Sequence, residues 1–68
     1  METILNKDQK HILEIIYKVY NRTSTGCKSI GIVANKRDLD FLIEKDLIFH
    51  TANGYFPSTK GQELINFN

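Results

Sequence analysis

Residues 50–57 read HTANGYFP, and the Asn53-Gly54 pair inside this stretch constrains the chain more than any other feature. Asn-Gly suits the two central positions of a type I′ turn, where both residues take positive φ. Strand formers flank it, with Leu47-Ile48-Phe49-His50-Thr51 entering and Tyr55-Phe56 leaving, so the spacing predicts a hairpin. If Asn53 and Gly54 are the loop, Thr51 faces Phe56 and His50 faces Pro57. Phe49, Thr51 and Phe56 then share one side of the ribbon, and His50, Ala52 and Tyr55 the other. The side with both phenylalanines is expected to meet the core. Pro57 has no N–H to offer a ladder and ends the second strand.

Helical patterns lie on both sides of the hairpin. Asn6 can cap a helix, and Gln9 stands where a capping-box partner reaches back, so helix 1 should begin near Lys7. Ile12, Ile16 and Val19 recur at helical spacing, widened by Leu13, Ile15 and Tyr20, until about Asn21. A short second helix is expected from Cys27 to Val33, with Ile30 and Val33 as its apolar pair and Gly31 costing about 1 kcal/mol in its interior. Leu39, Leu42 and Ile43 then give an inward face to a third helix from Lys36 to Lys45. After the hairpin, Ser58 can cap a final helix carrying Leu64 and Ile65. The fold class is mainly α with a small β-hairpin.

A chain of 68 residues is one domain, 1–68, with a modest core and a stability of about a few kcal/mol. Nine Lys plus Arg against eight Asp plus Glu leave a net charge of +1, so any grip on phosphates must come from local clustering. The single cysteine, Cys27, excludes an internal disulfide and fits a reducing compartment. The first residues lack the basic flank and apolar run of a signal peptide, and no segment approaches the roughly 20 apolar residues that span a bilayer. A cytoplasmic protein without membrane contact is expected. His11, His50 and Cys27 lack the spacing of a metal site, and the glycines match no nucleotide fingerprint, so neither catalysis, nor a metal, nor a cofactor is expected.

Two stretches carry a family resemblance. FLIEKDLIF, residues 41–49, looks like the junction in which a recognition helix ends in a leucine-x-glutamate-lysine-glycine run and enters a wing strand. PSTKGQELI, residues 57–65, is similar to the leucine-threonine-glutamate-lysine-glycine start of the post-wing helix. Both stretches thus resemble those of regulators of the multiple-antibiotic-resistance type, and the element order resembles a winged helix-turn-helix: three helices, a two-stranded wing and a short C-terminal helix. Asp46 stands where that family usually has glycine, Pro57 and Ser58 replace its leucine and threonine, and its long dimerisation helices are missing.

The resemblance implies a small regulator of transcription that binds duplex DNA. The N-terminal residues of the third helix, Asn35, Lys36 and Arg37, would meet base edges in the major groove. Thr25, Lys28 and Ser29 would meet phosphates, and Asn53, Tyr55 and His50 would bring the wing to a neighbouring groove or the backbone. Charge supports a competing reading. From Lys36 to Asp46 three basic residues face four acidic ones, a net of −1, and Lys36 and Arg37 are spaced to pair with Asp40. Phe41, at the edge of the apolar stripe, with Asp40 and Glu44 beside it, would instead suit a protein partner. Stacking of single-stranded bases on Tyr17, Tyr20 and Tyr55 is a third reading. A homodimer could use helix 1 with Ile65 and Phe67, setting two recognition helices about 34 Å apart.

Overall fold

The computed structural model describes residues 5–66. Its elements run α1 (Lys7–Thr23), α2 (Ile30–Val33), α3 (Lys36–Glu44), β1 (Ile48–Thr51), β2 (Gly54–Pro57) and α4 (Thr59–Asn66). The radius of gyration of 10.7 Å matches the about 11 Å expected of a compact domain this long. Phe67, one residue of the expected dimer seam, lies outside the described residues.

Helix α1 is the hub, touching β2 and all three other helices. Its start is the expected capping box: Gln9 N–H donates to the Asn6 side chain at 2.8 Å, and Asn6 N–H to the Gln9 side chain at 3.1 Å. Two more residues are helical than the periodicity suggests. The end comes at Ser24, which takes a left-handed φ of 57° and donates its N–H to the Tyr20 carbonyl. Ile12, Leu13 and Ile16 pack into a single core with Ile30, Leu39, Leu42, Leu47 and Ile48, so the apolar face of α1 is used within one copy.

The second helix differs from the expectation. Cys27 is extended, exchanging both backbone hydrogen bonds with Tyr55, at 2.9 and 3.1 Å, and so adds a one-residue bridge to the outer edge of β2. A residue paired on both its N–H and C=O to a strand cannot also be helical, and only Ile30–Val33 remain as α2. One turn can turn one side chain inward. Ile30 is buried, whereas Val33 is 76% exposed and does not join the core.

The chain leaves α3 through a left-handed residue. Asp46 takes φ 61°, its N–H donates to the Ile43 carbonyl, and Leu47 N–H donates to the Leu42 carbonyl. This is a Schellman C-cap, which favours glycine at the left-handed position; Asp is one of the few other residues that enter it readily. Leu42 and Leu47 close the motif as an apolar pair, both fully buried. Ser58 then locks α4 onto the same corner. Its N–H donates to the Leu47 carbonyl at 3.0 Å, its hydroxyl donates to the Asp46 carbonyl at 2.6 Å, and it accepts from Gly61 N–H at 3.0 Å as the expected cap.

The hairpin forms, but its turn is not type I′. Ile48 pairs with Pro57, Phe49 with Phe56, His50 with Tyr55 and Thr51 with Gly54, leaving Ala52 and Asn53 as the loop. Neither loop residue has positive φ; Gly54 has, at 115°. Thr51 drives the change, because its hydroxyl accepts from Asn53 N–H at 3.0 Å and donates to the Gly54 carbonyl at 3.3 Å. Gly54 is also required by contact, since a Cβ there would lie 2.9 Å from the backbone of Cys27 and Lys28. The expected faces are also exchanged. Ile48 and Pro57 are buried on the side shared with His50 and Tyr55, while Phe49 is 46% exposed. Leu47, just before β1, is fully buried with Ile48.

Candidate nucleic-acid interface

The N-terminus of α3 presents Asn35, Lys36 and Arg37, all exposed. Asn35 is extended and its Oδ1 accepts from Arg37 N–H at 2.9 Å, capping the helix. A bidentate bond to adenine needs both side-chain ends of an asparagine, so such a contact would have to displace this cap. Lys36 and Arg37 do not form the helix-face pairs with Asp40 that their spacing suggests; among the described residues neither has an ion-pair partner. Their charges are therefore available.

Thr25 and Lys28 of the α1–α2 loop meet Asn53 of the distant hairpin turn at one open groove, which Ser24, Gly26 and Phe56 complete. Cys27 explains the convergence: its bridge to Tyr55 holds the α1–α2 loop against the hairpin, two residues from the turn. Gly26 permits it, because a Cβ at that position would meet the Asn53 carbonyl at 2.5 Å and the Phe56 ring at 2.8 Å. In the groove wall the Thr25 hydroxyl is 2.6 Å from that of Thr23, and Lys28 is exposed. Ser29 is exposed and does not cap α2; its hydroxyl lies 3.7 Å from the buried Cys27 sulfur.

His50 and Tyr55 stack at 4.1 Å with their planes 10° apart. Tyr55 spends its backbone groups on Cys27, so it forms a non-hydrogen-bonded pair with His50, the kind in which opposed side chains approach most closely. The Tyr55 ring also lies under α2, where a Cβ on Gly31 would be 3.2 Å from it, and it is half-buried. His50 is the exposed member of the pair. On the other face Phe49 stacks on Phe56 at 5.4 Å, and Tyr20 meets Phe56 edge-on at 6.0 Å. Phe41 is half-buried against the core with the Lys45 ammonium 5.6 Å from its ring centre, and Asp40 and Glu44 are exposed beside it.

One signal lies outside the residues singled out by motif. From Ile15 to Arg37 the chain has five basic residues, Lys18, Arg22, Lys28, Lys36 and Arg37, and no acidic one. All five are exposed. The hairpin from Leu47 to Pro57 carries no Lys, Arg, Asp or Glu at all. Glu14 precedes the run and Asp38 to Asp46 separate it in sequence from the hairpin, so the near-neutral total conceals two acid-free stretches. Among the described residues no group of three His, Cys, Asp or Glu side chains could hold a metal ion, and no helix is long and apolar enough to cross a membrane. No protein-family model matches the chain, and no curated protein or solved structure matches it.

Proposed function

We propose that this chain is a winged helix-turn-helix domain that binds duplex DNA and serves as a transcriptional regulator. The element order supports the fold reading: a three-helix base, an extended Cys27 edging the sheet, a hairpin as the wing and a closing helix. α2 and α3 act as the helix-turn-helix, with Lys36 and Arg37 entering the major groove and the Lys28–Asn53 groove taking the backbone beside it.

The observation that carries the DNA reading is the acid-free run from Ile15 to Arg37 beside an uncharged hairpin. Phosphate neutralisation supplies most of the affinity for DNA, and it needs basic groups that carboxylates do not quench. Lys36→Ala combined with Arg37→Ala tests the assignment. Both side chains are exposed, so the fold should be kept, and the variant should no longer shift a duplex that the wild type shifts at low salt. An unchanged shift refutes the assignment. A protein-binding module is the second reading, favoured by the net charge of −1 from Lys36 to Asp46 and by Phe41 beside Asp40 and Glu44. It expects no affinity for random duplex at low salt.

A further inference from the structure

Ile32 and Val33 are 86% and 76% exposed, the barest large apolar side chains among the described residues. The fold explains why nothing among the described residues covers them. α2 is a single turn whose Ile30 fills the core and whose Gly31 abuts the Tyr55 ring, so the next two side chains must point away. Two β-branched side chains left in water forgo the gain of burial, which makes them candidates for a contact with a partner.

The surrounding charge selects that partner. Lys28 precedes the pair and Lys36 and Arg37 follow it, while the nearest acidic residues in sequence are Glu14 and Asp38. A second copy of this chain would bring the same basic rim against itself, and like charges repel. The complement is an anionic surface bearing small apolar groups. The major groove of duplex DNA has that character, because between its phosphate walls the thymine C5-methyl is the apolar group on the base edges.

Resting on the DNA reading above, we propose that Ile32 and Val33 contact thymine methyl groups, so that the turn before α3 adds a preference for thymine to the grip of Lys36 and Arg37. The test compares an alternating adenine–thymine duplex with the same duplex carrying deoxyuridine for thymidine, which removes only the methyl groups. Wild type should bind the thymine duplex about fourfold more tightly for each methyl contacted, the fold-change equal to about 0.8 kcal/mol for one buried carbon group. Ile32→Ala with Val33→Ala should bind both duplexes equally, with the salt dependence of wild type, since neither residue meets a phosphate. Equal wild-type affinity for the two duplexes, or a preference that survives in the variant, overturns the inference and leaves the DNA reading standing. Folded wild type that binds neither duplex at low salt overturns both. A concentration-dependent wild-type dimer that the variant abolishes overturns the inference by showing a second copy on this surface.

Discussion

Gly61→Ala separates what helix propensity expects from what the packing dictates. Gly61 lies inside α4, where alanine normally gains about 1 kcal/mol over glycine. In this fold a Cβ at that position runs into the Leu47 carbonyl oxygen and lies 3.3 Å from the Leu13 side chain. The carbonyl has little freedom to retreat, because it accepts the Ser58 N–H and belongs to the residue that closes the α3 cap. Overpacking of this kind costs about 1–3 kcal/mol, and an obstruction by backbone belongs toward the upper end. Subtracting the propensity gain leaves a net loss of about 1–2 kcal/mol. For a domain this small that lowers the melting temperature by roughly 4–8 °C per kcal/mol, and the urea midpoint should fall at an unchanged slope. A variant as stable as wild type, or stabilised by the full propensity gain, would refute the close seating of α4 on the α3–β1 corner.

Other substitutions probe the remaining joints. Asp46→Gly should raise stability by about 0.5–1 kcal/mol, read as a higher melting temperature, since it relieves a left-handed non-glycine residue and removes a negative charge from a helix C-terminus. Asn35→Ala should cost about 1 kcal/mol by uncapping α3, and urea titration would detect it. Phe49→Ser should cost less than Leu13→Ala in the same titration, because Phe49 is 46% exposed and Leu13 is fully buried; the latter loses about 2–5 kcal/mol and so most of the fold.

Local chemistry was the most legible part of the sequence. The Asn6–Gln9 box, the Leu39 and Leu42 part of the α3 face and the Ser58 cap each depend on residues a few positions apart, and all are present, whereas Ile43, expected on the same inward face, is 39% exposed because the core closes on Leu39 and Leu42. Asp46 and Gly61 likewise occupy positions with steric demands of their own, a left-handed φ and a close approach to the Leu47 carbonyl. Long-range contacts were not legible. Nothing near Cys27 in the sequence announces that it will pair with Tyr55, yet that bridge shortens α2, exposes Val33 and places Gly54 against the loop backbone. The hairpin register then follows from the Thr51 hydroxyl, a competitor to the Asn-Gly signal. At the candidate site, Lys28 and Asn53 were readable as polar candidates, whereas their meeting in one groove depends on the same bridge. The acid-free run was open to inspection from the start. Summing charge over α3 alone hid it, because Asp38 to Asp46 hold four of the eight acidic residues.

Affinity for random-sequence duplex as a function of salt tests the central claim most directly, with fluorescence anisotropy as the readout. If Lys28 at the backbone and Lys36 and Arg37 in the groove each displace one condensed counterion, log K should fall against log salt with a slope of about −2.7, or about fortyfold between 50 and 200 mM. Folded protein that shows no binding to duplex at low salt, or an affinity indifferent to salt, would contradict the account.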